Sequence, residues 1–148
     1  MLTIIAGVPA VGKSTYAIGR RFIEFDNWVT SAYNASLPMA MECYKKDYPK
    51  SNDAYLSDVV NFYKNGIEYL IDTFTYRNDR TIALNFFKSN GIKSISLIYF
   101  VASLKTVLER NQKRDYRLDD DIVAELWINQ EFPNINEGFD NLKIICTD

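Results

Sequence analysis

A glycine-rich segment near the amino terminus has the residue types and spacing that bind the phosphates of a nucleotide. It reads GVPAVGKST over residues 7–15. Glycines let successive backbone N–H groups converge on an anion, a lysine reaches the β- and γ-phosphates, and a serine hydroxyl coordinates magnesium. The segment therefore predicts binding of a nucleoside triphosphate, ATP or GTP, with Mg²⁺. The predicted nucleotide ligands are Gly7, Val8, Pro9, Ala10, Val11, Gly12, Lys13, Ser14 and Thr15, with Ser14 also a predicted metal ligand.

Two carboxylates are expected at the edge of a sheet that faces this loop. Asp26 follows the run FIEF, and Asp72 follows the run IEYLI. Ligands of parallel α/β sheets bind beyond the carboxyl ends of the strands, so both acids are predicted to lie near the phosphates. Asp26 could accept the proton of an attacking hydroxyl, and Asp72 could hold the magnesium ion or orient the acceptor. For each acid, capping of the helix that follows is the alternative.

A basic cluster, RNQKRDYR at residues 110–117, lies at the end of a predicted helix. Arg110 and Arg114 would share a face of that helix. A solvated helix end is one interpretation, because cations there also complement the helix dipole. Together with the phosphate loop, the cluster favours a lid that closes over the nucleotide. In that interpretation Arg114 is catalytic and Arg110 is a further nucleotide ligand.

Five apolar runs separated by helical patterns must position these residues. Because the runs are mostly apolar rather than alternating, they predict a parallel sheet with helices on both faces. The length of 148 residues fits one domain over residues 1–148. The pattern indicates an α/β protein with a five-stranded parallel sheet flanked by helices on both faces. Strands are predicted at 2–6, 22–25, 67–71, 95–100 and 142–146, and helical faces within 56–63, 82–87, 104–108 and 122–127.

The composition excludes several kinds of function and location. The chain has no histidine, so carboxylates must carry out any proton transfer. Its net charge of −2 gives no overall basic surface, and a polyanion would have to bind a local basic cluster. No segment reaches the roughly 18 consecutive apolar residues of a membrane span, and the apolar run at the amino terminus is too short for a signal peptide. We expect a cytoplasmic protein of a bacterial or phage-infected cell, with Cys43 and Cys146 reduced.

The motifs together resemble the bacteriophage-type polynucleotide 5′-hydroxyl kinases. The resemblance rests on LTIIAGVPAVGKSTYA, YLIDTFTYRNDR, LERNQKR and NEGFDNLKII, which extend nearly from end to end of the chain. It implies the P-loop kinase fold and transfer of the γ-phosphoryl group of ATP to a 5′-hydroxyl of DNA or RNA. By the same resemblance, Asp26 is the general base and Arg114 is the lid arginine. Asp72 and Thr73 would lie beside the acceptor.

One position departs from that family. The family carries an arginine one helical turn beyond its general base, where this chain has Val29. The missing charge could come from Arg77 or Arg80, which are predicted to bind the acceptor, or from Lys45 or Lys46. Residues 31–55 are expected to form part of the acceptor pocket.

Three functions are therefore open. The leading one is an ATP-dependent kinase of a nucleic-acid hydroxyl, either a 5′ end or a hydroxyl on a modified base. The second is a kinase of a nucleoside, a nucleotide or another small hydroxyl-bearing metabolite, which suits the acidic composition and Val29 better. The third is a regulatory nucleotide-binding module that hydrolyses ATP slowly or not at all.

Overall fold

A five-stranded parallel sheet organises the chain in the computed structural model, which describes residues 1–115 and 117–148. The strands lie in the order β2-β3-β1-β4-β5, and each neighbouring pair is parallel. The predicted α/β fold is confirmed, with the strand that leads into the phosphate loop at the centre. The strands are β1 (Leu2–Ala6), β2 (Phe22–Glu24), β3 (Tyr69–Ile71), β4 (Ile95–Val101) and β5 (Asn141–Cys146).

Helices connect the strands and cover the sheet. Three of them, α2 to α4, fill the connection between β2 and β3, where the sequence predicted one helical face. The hydroxyl oxygen of Ser103 accepts from the backbone N–H of Thr106 to cap α6, and a carboxylate oxygen of Asp119 accepts from that of Asp121 to cap α7. The helices are α1 (Lys13–Ala17), α2 (Phe25–Tyr33), α3 (Leu37–Asp47), α4 (Lys50–Lys64), α5 (Arg77–Ser89), α6 (Leu104–Gln112) and α7 (Asp120–Asn129).

The core lies on both faces of the sheet. Leu2 and Ile4 of β1 pack into a cluster with Val59 of α4 and Phe87 of α5. Ile5, which points to the opposite face, packs into a second cluster formed with α6 and α7. Successive side chains of a strand alternate between faces, so a strand buried on both sides must be apolar throughout. This confirms the prediction of helices on both faces.

Two further findings concern membrane-spanning helices and the cysteines. Within residues 1–115 and 117–148, no helix combines the length and apolar character that crossing a bilayer requires. Cys43 and Cys146 are both free thiols.

Candidate active site

The phosphate loop connects β1 to α1 through backbone conformations that favour glycine. Gly7 has a φ of 138°, and a β-carbon at this position would lie 2.6 Å from the carbonyl oxygen of Phe100. Gly12, the residue before α1, has a φ of 112°. Side chains are disfavoured at such angles. The motif therefore forms the turn between strand and helix that the sequence predicted.

The ammonium group of Lys13 lies at the centre of the site. It donates hydrogen bonds to the carbonyl oxygens of Gly7 and Val8, the second at 2.9 Å. Burial lowers the pKa of Lys13 to about 8, an effect that nearby carboxylates oppose. The structure thus brings together around one lysine three side chains that the sequence placed in the site and one that it did not. The charged side chains that act on Lys13 are Asp72, Asp26, Arg114 and Glu24.

The carboxylate of Asp72 is held in place by three hydrogen bonds. One oxygen accepts from the backbone N–H of Thr73 at 2.6 Å and from the hydroxyl of Thr73 at 3.4 Å, and the other accepts from the hydroxyl of Tyr55 at 3.0 Å. Burial raises the pKa of Asp72 to about 6, because desolvation outweighs these hydrogen bonds and the charge of Lys13. Helix α5 begins after Tyr76, its N-cap residue. Asp72 is therefore not the cap of the following helix.

Asp26 lies in the first turn of α2 and not at the end of a strand. Strand β2 ends at Glu24, which is the N-cap residue of α2. The strand is shorter than predicted because Phe25 starts the helix and packs its ring against Tyr55, with 4.8 Å between ring centroids. Asp26 remains close enough to the phosphate loop for its charge to act on Lys13 and Asp72. At Lys13 this charge opposes the lowering of the pKa by burial, and at Asp72 it adds to the raising of the pKa.

Arg110 and Arg114 have different surroundings. Arg110 donates to the carbonyl oxygen of Val11 at 3.3 Å and to the hydroxyl oxygen of Thr147 at 2.9 Å. The hydroxyl of Thr147 donates to the same carbonyl of Val11 at 2.8 Å. Arg110 therefore stabilises the backbone of the phosphate loop. The sequence did not predict this role.

Arg114 carries a buried nitrogen available for a ligand. Within the described part of the chain, its Nη1 has no hydrogen-bond partner. An unpaired buried donor is costly, and structures seldom retain one unless a ligand or water satisfies it. Because Arg114 also acts on Lys13, an anion bound near Lys13 would supply that partner.

Glu24 is a carboxylate of the site that the sequence pattern missed. The hydroxyl of Ser14 donates to its Oε1 at 3.2 Å. A hydroxyl and a carboxylate are oxygen ligands of the kind that Mg²⁺ prefers. Among the described residues, no group of three or more acids, histidines or cysteines forms a complete metal site. Magnesium would therefore need phosphate oxygens in addition to Ser14, with Glu24 and the predicted ligand Asp72 nearby.

A cavity of about 200 Å³ opens beside Asp72. Residues 31–55, expected to form part of the acceptor pocket, supply nearly half of its lining. Thr73, predicted to lie beside the acceptor, also lines it. We call it the acceptor cavity, and its lining residues are Phe25, Met41, Tyr44, Tyr48, Asn52, Asp72, Thr73, Phe74 and Asp79.

The prediction that Arg80 binds the acceptor requires correction. Arg80 is 2% exposed. Its Nε donates to Glu137 Oε1 at 2.7 Å, and its Nη1 donates to the carbonyl oxygen of Phe74 at 2.8 Å. These donors are used within the fold, so Arg80 joins α5 to the segment before β5. Arg77 is largely exposed and lies 3.8 Å from the same Glu137.

Val29, where the resembled family has an arginine, is completely buried in the core beside α3 and α4. A cation would be poorly accommodated there. None of the proposed replacements lines the acceptor cavity: Lys45 and Lys46 are exposed, and both arginines of α5 face Glu137. In the described residues, the lining of the acceptor cavity contains no lysine or arginine.

Comparisons with known proteins agree with this architecture. A family profile described as an AAA domain matches residues 2–130. The L-seryl-tRNA(Sec) kinase of Methanococcus maripaludis is 26% identical over 147 residues, which cover 95% of this chain and 56% of that protein. The chain therefore spans little more than half the length of this relative.

Solved structures show the same fold. A kinase candidate from Chloroflexus aurantiacus has a TM-score of 0.69 at 16% identity, over 98% of this chain and 84% of that chain. A gluconokinase from Sinorhizobium meliloti has a TM-score of 0.59 at 14% identity, over 98% of this chain and 81% of that chain. The chain therefore has the α/β fold of P-loop kinases.

Proposed function

We propose that this chain, which belongs to the AAA domain family, transfers the γ-phosphoryl group of ATP to an alcohol group of a small molecule. One observation carries the proposal. Asp72 lines a small cavity, and its charge acts on Lys13 of the phosphate loop together with the charges of Asp26 and Arg114. Bound ATP would supply the phosphoryl group, and Mg²⁺ would neutralise its charge.

The residues around the loop can bind and stabilise phosphates. The ammonium group of Lys13 would exchange its hydrogen bonds with the loop carbonyls for bonds to phosphate oxygens. Ser14 would hold magnesium, with the carboxylate of Glu24 beside it. The unpaired Nη1 of Arg114 would donate to the transferring group, where the negative charge must be stabilised.

Asp72 and Asp26 have different roles toward the acceptor in this proposal. Asp72 lines the cavity, and its pKa of about 6 leaves it ionised at neutral pH, so it can accept a hydrogen bond from the acceptor hydroxyl. Asp26 acts on the same lysine from α2. It is the proposed general base, which would take the hydroxyl proton as the acceptor oxygen bonds to the γ-phosphorus of ATP and the bond from that phosphorus to the ADP leaving group breaks.

The cavity favours a small acceptor over a polynucleotide end. Its volume of about 200 Å³ is below the roughly 300–1,000 Å³ of pockets for drug-sized ligands. Asp72 and Asp79 line it, and its described lining lacks cations. Because proteins bind nucleic-acid phosphates mainly through lysine and arginine, such a lining would repel a strand end.

A hydroxyl attached to a nucleic acid is the second candidate. The observation that favours it is the similarity to a kinase named for seryl-tRNA(Sec). In that case the acceptor cavity would receive the hydroxyl-bearing group alone, and the nucleic acid would remain outside. The polynucleotide 5′-hydroxyl activity implied by the sequence resemblance belongs with this candidate.

Transfer of label from γ-labelled ATP distinguishes these candidates. The protein is incubated with Mg²⁺ and separate acceptors: polyols, amino alcohols, nucleosides, a 5′-hydroxyl oligonucleotide and a duplex with hydroxymethylated bases. We expect label on a small alcohol, and none with the Lys13→Ala variant. Label on the oligonucleotide or duplex alone would favour the second candidate. Binding of ATP without transfer to any acceptor would overturn both and indicate a regulatory nucleotide-binding module.

A further inference from the structure

Two acids line the acceptor cavity. One is Asp72, whose charge acts on the ammonium group of Lys13. Asp79 lies in the first turn of α5 and lines the same cavity. The nearest cation to Asp79 along the chain, Arg80, is bound to Glu137 and to the carbonyl of Phe74. The charge of Arg80 acts on Asp79, but none of the ion pairs among the described residues includes Asp79, which is therefore available to a positively charged ligand.

Aromatic rings form much of the remaining wall. Phe25 and Tyr44 meet at an interplanar angle of 76° with 5.1 Å between centroids, and Tyr44 and Tyr48 meet at 62° and 6.4 Å. The hydroxyl of Tyr44 donates to Asn52 Oδ1 at 2.6 Å, which fixes the central ring. Faces of aromatic rings attract ammonium groups, and rings at steep angles present faces on more than one side.

We propose that the acceptor is an amino alcohol, a small compound that carries a protonated amine as well as the hydroxyl to be phosphorylated. This inference rests on the proposed kinase function. The hydroxyl lies beside Asp72, and the ammonium group lies against Asp79 and the rings of Tyr44 and Tyr48. A carboxylate or phosphate on the acceptor would be repelled by both acids. A neutral polyol would leave the charge of Asp79 and the ring faces without a matching group.

Three alcohols that differ in one group test the inference. Ethanolamine, ethylene glycol and glycolate each present a hydroxyl on two carbons, and the group opposite is cationic, neutral or anionic. With wild-type protein, ATP and Mg²⁺, we expect kcat/KM to decrease in that order. Without nucleotide, ethanolamine should raise the Tm of the protein, because a ligand that binds the folded state stabilises it.

Variants of Asp79 test whether this residue causes the preference for a cationic acceptor. Asp79→Asn should reduce the preference for ethanolamine over ethylene glycol by about fivefold, the upper range for an ion pair that solvent reaches. Asp79→Lys should transfer the preference to glycolate. Glu42→Gln is the control, since Glu42 is an exposed acid on α3 that does not line the cavity, and it should leave the order unchanged.

The outcomes separate this inference from the kinase proposal. Equal or better use of ethylene glycol or glycolate by wild-type protein would overturn the amino-alcohol inference and leave a kinase. An unchanged preference in Asp79→Lys would do the same. If no alcohol were labelled, the kinase proposal would fail, and the absence of a Tm increase with ethanolamine would then overturn the binding inference as well.

Discussion

Replacing Arg80 with alanine should destabilise the fold rather than weaken acceptor binding. The side chains of Arg80 and Glu137 are 1% and 5% exposed. Arg80 makes bonds of 2.7 and 3.2 Å to this carboxylate and one of 2.8 Å to the carbonyl of Phe74. The variant would leave a buried charge without its main partner, which costs about 3–5 kcal/mol. That is a large part of the roughly 5–15 kcal/mol that stabilises a domain.

Arg77→Ala is a matched control for this substitution. Arg77 approaches the same carboxylate at 3.8 Å, but its side chain is 55% exposed. Loss of an exposed ion pair costs less than about 1 kcal/mol. Urea unfolding of the two variants and the wild type measures the difference. Thermal unfolding should agree, at about 2–4 °C in Tm per kcal/mol for a chain of this size.

The reasoning fails if Arg80→Ala unfolds like the wild type. An unchanged free energy of unfolding together with a raised KM for the acceptor would restore the contact predicted from the sequence. Equal destabilisation by Arg77→Ala would also contradict the argument, because it would show that burial does not distinguish the two pairs.

Three further substitutions test the candidate site. Asp26→Asn should lower kcat by about 10² to 10⁴ and spare nucleotide affinity measured by calorimetry; a parallel loss of affinity would exclude a general base. Arg114→Ala should lower kcat by about 10³ with a smaller effect on nucleotide Kd, and a pure affinity loss would contradict its role in the transition state. Tyr55→Phe removes a hydrogen bond that lowers the pKa of Asp72, so the acidic limb of kcat/KM near pH 6 should move to higher pH; an unmoved limb would mean that Asp72 does not titrate in the reaction.

The fold was predictable from the sequence where a strand is buried on both faces. It was less predictable where the same residues fit both a strand and a helix. Strand β1 begins and ends at the predicted residues, because its side chains are apolar toward both faces. Strand β2 was predicted one residue too long, since Phe25 is as apolar as a strand residue but starts a helix. Helix α3 was not predicted, although its proline near the first position is a recognised helix-start signal.

The candidate site was predictable where its functional residues are close together in the sequence. The phosphate loop is a contiguous motif, so its glycines and Lys13 could be identified directly. Arg80 could not be interpreted correctly, because the side chain that pairs with it is 57 residues away and no local pattern reveals it. Glu24 was detectable in principle, because it stands at the end of the strand that precedes Asp26.

The shared carbonyl of Val11 has a consequence for evolution and for engineering. Arg110 and Thr147, separated by 37 positions, both bond to that oxygen and to each other. Among homologues, a change at either position should be accompanied by a change at the other, since covarying positions report spatial contact. For the same reason, substitutions introduced near residue 147 should keep the hydroxyl of Thr147, because its loss would remove a bond that supports the phosphate loop.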